Sequence, residues 1–200
     1  MGGDEMHFVR DAFASNWLST TGPSLTALEA EFSSLVGRPC VALGTGTSAI
    51  HLGLKLLGIG PGDEVATPTL TFAASCNPLL YEKARPVFID SERETWNLDP
   101  NLLEDYLKDR ARLNRLPKAV TVVHLFGQSA RLQEVLDVCQ RYEIPVLEDA
   151  AESLGARYHG KHPGTLGEVG AFSFNSNKII TGTSGGMLVA ADEDWIQKVR

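Results

Sequence analysis

The chain has 200 residues, of which 43% are hydrophobic and 22% are charged, and its formal net charge is −7. This composition is typical of a globular protein with one or two domains and a substantial core. The negative charge argues against nucleic acid or an anionic membrane as the main partner, because both attract basic surfaces. No apolar run approaches the length of a membrane span, and the N-terminus lacks a signal-peptide pattern.

The three cysteines, Cys40, Cys76 and Cys139, are widely spaced and form no CxxC pair. They are predicted to be core residues of a protein in the reducing cytoplasm, without a nucleophilic role. His159 and His162 lie in the polar run YHGKHPG, which contains no carboxylate cluster. We therefore expect surface histidines and no metal site.

Two helices are predicted at the start of the chain. Apolar residues at Met6, Val9, Phe13 and Leu18 indicate the first helix. The run SLTALEAEFSSLVG indicates a second helix that begins at its first serine and ends at its glycine.

Short apolar runs then alternate with helical segments. The predicted strands are PCVAL, EVATP, PVFID, AVTVVHLF and PVLED, and the predicted helices are SAIHLGLKLLGIG, FAASCNPLLYE and LQEVLDVCQRY. This alternation predicts an α/β fold with a mostly parallel central sheet and helices on both faces. Ligands of such sheets bind at the carboxyl ends of the strands.

The glycine-rich turn GTGTSA follows the first predicted strand and opens a helix. Backbone N–H groups at such a helix start suit a phosphate group. The turn also nearly fits the GxGxxG/A pattern of dinucleotide binding, which requires a carboxylate at the end of the next strand. That strand ends in hydroxyl residues and Phe72 instead, so a dinucleotide is disfavoured, while a phosphate site and a merely tight turn both stay open.

In the run VLEDAAES, Asp149 comes directly after a buried apolar stretch, at the carboxyl end of the predicted strand. A carboxylate in that position is costly to bury unless it meets a cation or hydrogen-bond donors. Asp149 is therefore either the cap of the following turn or a fixed negative charge for a cationic ring or a metal.

Lys178 lies in the stretch GAFSFNSNKIITGTSGGMLVAAD, which alternates small, apolar and hydroxyl residues like a buried pair of strands. The nearest carboxylates along the sequence are Glu168 and Asp192, so we expect the lysine to have no carboxylate partner. It is either an edge-strand lysine that reaches solvent or an amine that forms a Schiff base. The run GTSGG matches a hydrolase motif, but Ser184 precedes a predicted strand where that motif needs a helix.

A phosphate turn, an aspartate after a core strand and a lysine about thirty residues later together suggest pyridoxal phosphate. The sequence resembles the DegT/DnrJ/EryC1/StrS family of sugar-nucleotide aminotransferases, which belong to the fold type I pyridoxal phosphate enzymes. Its resemblance is greatest to the branch that makes UDP-4-amino sugars, as in the bacillosamine pathway, because of Glu152 and the run NSNKIIT. The matching segments are GTGTSAIHLGLKLLGIGPGDEVATPTLTFAASCNP, ARPVFID, VVHLFGQSA, PVLEDAAESLGA and GTLGEVGAFSFNSNKIITGTSGGMLV.

This resemblance implies a role for each matching residue. Lys178 would bind the cofactor as a Schiff base and then carry the proton between the α-carbon of the amino acid and the C4′ atom of the cofactor. Asp149 would pair with the pyridinium nitrogen, and Glu152 would lie near the 3-oxygen of the ring. Phe72 would cover one face of the ring. The phosphate would be held by Thr47, Ser48 and Ser173.

The implied reaction takes the amine of L-glutamate and gives it to a 4-keto-6-deoxy sugar nucleotide, with a UDP-linked N-acetyl hexosamine favoured, in amino-sugar and polysaccharide biosynthesis. A 3-keto sugar nucleotide is the alternative acceptor. Lys178 argues against the dehydrating members of the family, which replace the lysine, and against a catalytically silent relative. The competing class is a nicotinamide-dependent oxidoreductase that binds its cofactor at GTGTSA and does not depend on Lys178.

Family members are nearly twice as long, and the chain stops within a predicted helix, DEDWIQKVR. Residues 1–200 are therefore expected to be the N-terminal and cofactor-binding large-domain portion of an aspartate aminotransferase-like fold, without the small C-terminal domain. The family also builds its active site at a homodimer interface. We expect residues 1–200 alone to be inactive or poorly folded, and full activity of that piece would contradict this expectation.

Overall fold

The computed structural model describes residues 2–200, and a seven-stranded sheet lies at its centre. The strands are β1 (Cys40–Leu43), β2 (Glu64–Pro68), β3 (Arg85–Ile89), β4 (Ala119–Val123), β5 (Val146–Asp149), β6 (Val169–Ser173) and β7 (Gly186–Ala190). Their order across the sheet is β1-β7-β6-β5-β4-β2-β3. β7 is antiparallel to both of its neighbours, and the pairs between β6 and β3 are parallel. The predicted mostly parallel, mixed sheet is confirmed.

Seven α-helices accompany this sheet in the described part of the chain: α1 (Glu5–Ser15), α2 (Pro23–Val36), α3 (Gly46–Leu56), α4 (Asn77–Tyr81), α5 (Pro100–Arg112), α6 (Leu132–Arg141) and α7 (Glu193–Val199). α5 is absent from the sequence prediction because the segment is strongly charged. Its start signals were nevertheless in the sequence, since the side chain of Asp99 caps the helix and Pro100 occupies its first turn.

The two opening helices differ from their predictions in detail. α1 ends at Ser15, so Leu18 lies outside it, and none of its side chains is buried. Its apolar stripe therefore contributes nothing to the core of the described chain. α2 begins at Pro23 instead of Ser24, because the fixed φ of proline suits the first helical position. It ends at Gly37, as predicted, in a left-handed conformation with φ of 74°.

Helices cover both faces of the sheet, as the sequence predicts. α3, α4 and α7 pack on the face that carries Leu147 and Leu188. α2, α5 and α6 pack on the opposite face, where Val146 and Val189 lie. Since side chains alternate along a strand, Glu148 and Asp149 at the end of β5 lie on opposite faces, with Asp149 on the side of α3.

Two glycines let α3 lie close to the sheet. A Cβ on Gly53 would lie 2.9 Å from side-chain carbons of both Leu147 and Val169. A Cβ on Gly46, at the start of the helix, would lie 2.8 Å from the Cβ of Ser173. Any larger residue would displace the helix, so these glycines place the N-terminus of α3 against the end of β6.

The prediction of core cysteines is confirmed for Cys40 and Cys139, which are buried, whereas Cys76 is only half-buried. Burial raises the pKa of Cys40 to about 11 and that of Cys139 to about 12, which makes both poor nucleophiles. His159 is exposed as predicted, but His162 is buried, and the surface prediction was wrong for it. The reason is that the loop after β5 folds back against the sheet, which a polar composition does not reveal.

None of the helices in residues 2–200 combines the length and the hydropathy that crossing a membrane requires.

Candidate active site

A cavity of about 520 Å³ opens at the carboxyl edge of the parallel strands. The segments that follow β1, β2, β4, β5 and β6 all contribute to its wall, together with the segment before β7. This is the edge at which ligands of such sheets are expected. Six of the seven predicted site residues line the cavity: Thr47, Phe72, Asp149, Glu152, Ser173 and Lys178.

The N-terminus of α3 forms one wall of the cavity. The hydroxyl of Thr45 caps the helix by accepting a hydrogen bond from the N–H of Ser48 at 3.0 Å. The first intrahelical bond runs from Ala49 N–H to Thr45 O at 3.2 Å, so the N–H groups of Gly46 and Thr47 have no intrahelical acceptor. N–H groups without an intrahelical acceptor at the positive end of a helix are suited to an anion.

Ser48 is the predicted site residue that the structure does not bring into the cavity wall. Its N–H and its hydroxyl both contact the hydroxyl of Thr45, at 3.0 and 2.9 Å. The contact of Ser48 with a phosphate stays a prediction. Thr45 and Gly46, which belong to the predicted phosphate turn GTGTSA, line the cavity.

Asp149 is only 6% exposed and accepts two hydrogen bonds. Its Oδ2 atom accepts from the hydroxyl of Ser75 at 2.5 Å, and its Oδ1 atom accepts from the N–H of Ala151 at 3.1 Å. Burial raises the pKa of Asp149, although these hydrogen bonds and the charge of Lys178 act in the opposite direction. The aspartate thus caps the following turn and also remains a buried negative charge that a cationic ligand would stabilise.

Lys178 lies in the connection between β6 and β7, outside both strands. Its side chain is 12% exposed, and its Nζ donates to Oε1 of Glu152 at 3.1 Å. The other carboxylate oxygen of Glu152 accepts from the N–H of Phe126 at 2.9 Å. The expectation of a lysine without a carboxylate partner was therefore wrong. Parallel pairing of β5 and β6 brings Glu152 to the same sheet edge, a proximity that sequence distance conceals.

Ser173 and Ser184 border the same connection and both line the cavity. The hydroxyl of Ser184 donates to the carbonyl of Gly44 at 2.7 Å, and β7 follows two residues later. The absence of a helix after Ser184 in this described segment agrees with the rejection of the hydrolase motif.

A buried hydrogen-bonded pair, His124 and Glu148, lies on the opposite face of β5. Nε2 of His124 is 3.0 Å from Oε2 of Glu148, and both side chains are fully buried. Since Nδ1 of His124 accepts from the N–H of Ala130 at 3.2 Å, the Nε2 atom is the one that donates to Glu148. Three further donors to this carboxylate are the backbone N–H groups of Gly164, Leu166 and Gly167. Burial alone would raise the pKa of Glu148, but His124 and these N–H groups hold it below its ordinary value.

Two aromatic rings are exposed at the mouth of the cavity. Phe72 is 74% exposed, and Phe126 stands in a left-handed conformation with φ of 52°. Phe126, like Thr71, Ser75 and His124, was missed in the sequence. The signal that could have found these residues is their position directly after β2 or β4, at the edge where Asp149 was already placed.

The residues of the cavity fit pyridoxal phosphate. A helix N-terminus suits its phosphate, a buried carboxylate with a raised pKa suits its pyridinium nitrogen, and Lys178 supplies an amine. The cavity volume lies within the range of small-molecule sites. Within residues 2–200 no group of three or more potential metal ligands comes together.

The fold and this site are those of a cofactor-dependent α/β enzyme, and comparison with known proteins gives the family. The sequence model of the DegT/DnrJ/EryC1/StrS aminotransferase family matches residues 1–200. The chain belongs to this family. Its aminotransferases use pyridoxal phosphate, and solved structures of the same fold include one with bound hydrated PLP and one in the PMP form. This membership favours an aminotransferase over the nicotinamide-dependent oxidoreductase.

Individual relatives agree with this result. EpsN of Bacillus subtilis is 51% identical over 100% of this chain and 52% of its own length. The GDP-perosamine synthase of Caulobacter vibrioides is 41% identical over 99% of this chain and 52% of its own length. The crystal structure of a DegT DnrJ EryC1 StrS aminotransferase from Brucella abortus superposes with a TM-score of 0.90 at 30% identity, over 96% of this chain and 52% of that one. The chain thus spans about half the length of the relatives that it matches.

Proposed function

We propose that this chain supplies the N-terminal, cofactor-binding large-domain portion of a sugar-nucleotide aminotransferase. The observation that carries the proposal is the presence of Lys178, Asp149 and the N-terminus of α3 in the wall of one cavity. An amine, a buried carboxylate and an anion-binding helix start are the three groups that pyridoxal phosphate needs from a protein.

When bound, pyridoxal phosphate supplies an aldehyde that condenses with amines and a ring that withdraws electrons from the carbon being deprotonated. Lys178 provides the amine that holds the cofactor. The same Nζ atom would be placed to take up and return the substrate proton. Glu152 fixes the position of Nζ through the 3.1 Å hydrogen bond.

Asp149 and the cavity wall hold the cofactor in register with that amine. The negative charge of Asp149 favours the protonated form of a ring nitrogen paired with it. The N–H groups of Gly46 and Thr47, together with the hydroxyl of Ser173, would hold the phosphate. Phe72, exposed at the cavity mouth, would cover one face of the ring and exclude water from it.

The substrates proposed are L-glutamate as amine donor and a 4-keto-6-deoxy sugar nucleotide as acceptor, with a UDP-linked N-acetyl hexosamine favoured. Glu152 and the run NSNKIIT support the UDP choice through the resemblance to enzymes that make UDP-4-amino sugars. The relative named GDP-perosamine synthase makes a GDP-linked sugar the first competitor to test. A 3-keto sugar nucleotide is the third acceptor class.

We also propose that two copies of the protein share the active site and act in the cytoplasm. Large apolar side chains around the cavity mouth are exposed, including Phe72, Phe126, Ile179 and Ile180. Such a patch supports coverage by another protein surface. The three free thiols are consistent with a reducing compartment. Sedimentation of the full-length protein should give a dimer, and a monomer at micromolar concentration would contradict the shared site.

The function is tested by offering the full-length protein pyridoxal phosphate, L-glutamate and a panel of UDP- and GDP-linked 3-keto and 4-keto sugars. The expected product carries the new amine at C4 of the UDP-linked sugar. An amine at C3, or a strict preference for GDP, would overturn the substrate assignment and keep the aminotransferase. Absence of 2-oxoglutarate formation with every acceptor would contradict the proposed function.

A further inference from the structure

Ser75 is a buried serine whose hydroxyl reaches Asp149 from a distant part of the chain. It lies in the short helical turn 73–75 that follows β2, and it is 1% exposed. Its Oγ donates to Oδ2 of Asp149 at 2.5 Å across 74 positions of sequence. A hydroxyl bound so closely to a buried carboxylate restricts the rotation of that carboxylate.

The direction of the hydrogen bonds around Ser75 follows from the number of protons. An ionised carboxylate only accepts, so the single hydroxyl proton of Ser75 is used on Asp149. The hydroxyl of Thr71 lies 2.7 Å from the same Ser75 Oγ and must therefore donate to it. The result is a chain of two hydroxyls that runs from Thr71 through Ser75 to Asp149.

This hydroxyl chain lies in the segment that also carries Phe72. Thr71, Phe72 and Ser75 all line the cavity. One segment after β2 thus holds the aromatic ring at the cavity mouth and orients the carboxylate in the cavity wall. Displacing the segment would disturb both contacts together.

Given the proposed function, we propose that Ser75 is a positioning residue that acts through Asp149. Its hydroxyl holds Oδ2 in one orientation and stabilises the ionised carboxylate that pairs with the ring nitrogen of pyridoxal phosphate. Thr71 orients the hydroxyl of Ser75. Neither residue touches the reacting atoms, so their contribution is to cofactor affinity and to the protonation state of the site.

The test replaces Ser75 with alanine in the full-length protein and measures the dissociation constant of pyridoxal phosphate by equilibrium dialysis. A hydrogen bond to a charged group is worth enough that its loss should weaken binding about 10- to 100-fold. The loss should be larger at pH 6 than at pH 8.5. Without the hydroxyl the pKa of Asp149, already raised by burial, rises further, and less of the aspartate is ionised at the lower pH.

The other titratable groups around Asp149 are His124, Cys76, Lys178 and its partner Glu152. They are the same in the wild type and in Ser75→Ala. The ratio of the two dissociation constants at each pH therefore isolates the effect of the hydroxyl on Asp149.

Ser153→Ala is the matched control. Ser153 is fully buried, and its hydroxyl donates to the backbone carbonyl of Ala150, three residues earlier, without touching Asp149. It should bind pyridoxal phosphate like the wild type at both pH values. Thr71→Ala, at a half-buried position, provides a milder second variant whose loss of affinity should have the same pH trend as Ser75→Ala.

The experiment distinguishes failure of the positioning role of Ser75 from failure of the proposed function. If the wild type binds pyridoxal phosphate and both hydroxyl variants bind it equally well at pH 6 and pH 8.5, the positioning role is overturned while the proposed function stands. An equal loss in Ser75→Ala and Ser153→Ala would also overturn it, as a general packing effect. If the wild type itself fails to bind pyridoxal phosphate, the proposed function and this inference both fall.

Discussion

Glu148 and Asp149 are consecutive carboxylates at the end of β5, and the protein treats them in opposite ways. Glu148 accepts hydrogen bonds from His124 and from three backbone N–H groups, and its pKa is lowered. Asp149, on the other face of the sheet, accepts only from Ser75 and Ala151 among the described residues, and its pKa is raised by burial. Two neighbouring carboxylates of the same strand thus lie in different environments.

We interpret Glu148 as a structural carboxylate and propose that Asp149 is the one that pairs with a ligand. A buried charge that the protein satisfies completely stabilises the loops that donate to it. A raised pKa shows that burial destabilises the ionised carboxylate, and a bound cation would stabilise it. Such perturbed groups are common at functional sites. The comparison therefore predicts that mutations of Glu148 change stability and that mutations of Asp149 change activity.

The largest effect is expected from Asp149→Asn. A neutral amide cannot favour a proton on the ring nitrogen, so the amine-transfer rate should fall by roughly a thousandfold, equivalent to about 4 kcal/mol. The melting temperature should change little, since the amide keeps an oxygen for Ser75. Steady-state kinetics and thermal unfolding of the same preparation check both statements. If Asp149→Asn melts far below the wild type but transfers the amine at the wild-type rate, Asp149 is a structural carboxylate and the comparison is wrong.

Glu148→Gln should show the opposite pattern. The neutral amide accepts fewer hydrogen bonds from His124 and the three backbone N–H groups, and the loss of a hydrogen bond to a buried charged group costs about 3 kcal/mol. Urea denaturation of the cofactor-free protein measures this loss. The affinity for pyridoxal phosphate should stay within about threefold of the wild type, a difference of under 1 kcal/mol. A loss of unfolding free energy below about 1 kcal/mol would mean that the loop with Gly164, Leu166 and Gly167 does not depend on Glu148.

The pH dependence of unfolding should distinguish the two carboxylates by sign. The folded-state pKa of Glu148 is lowered, so its stabilising contribution is present above the unfolded-state pKa and is lost as the pH falls through the folded value. Asp149 has a raised pKa and costs stability as the pH rises.

The measurement is the free energy of unfolding of the cofactor-free protein between pH 3 and pH 8. The advantage of the wild type over Glu148→Gln should shrink as the pH falls. The free energy of unfolding of Asp149→Asn should increase relative to that of the wild type as the pH rises. Parallel curves for all three proteins would show that neither carboxylate carries the expected linkage.

The smallest effect is expected from Phe72→Leu, which tests the contact between the cavity and the cofactor. Phe72→Leu removes an exposed ring that is proposed to cover the cofactor, and an aromatic contact is worth about 1 kcal/mol. The dissociation constant of pyridoxal phosphate should rise about fivefold. Phe88→Leu is the control, since Phe88 is an exposed aromatic on β3 that does not line the cavity. Equal effects of the two substitutions would remove Phe72 from the site.

Much of the sheet was predictable because the sequence pattern of each strand is confined to the strand itself. Each buried parallel strand is a short apolar run, and each of β2 to β5 lies within two residues of its predicted bounds or inside them. α5 was missed because only Leu103 and Leu107 form its buried stripe beyond the first turn, in an otherwise charged segment. The antiparallel β7 and its place between β1 and β6 depend on pairing across most of the chain, which no local pattern specifies.

The candidate site was predictable where a residue stands next to a strand end or in a family motif, as Asp149 and Lys178 do. The contacts between segments were not. Glu152 reaches Lys178, and Ser75 reaches Asp149, only because parallel pairing brings separate strand ends to one edge. A sequence shows each of these residues surrounded by its own neighbours and gives no sign of the partner.

The central claim is that the carboxylate and the amine of this one cavity are reserved for pyridoxal phosphate. The most direct test adds pyridoxal phosphate to the full-length protein, reduces it with borohydride and maps the modified peptide by mass spectrometry. The account predicts a single pyridoxyl group on Lys178, lost in Lys178→Ala and weakened in Asp149→Asn. Labelling spread over surface lysines, or unchanged in Lys178→Ala, would contradict it.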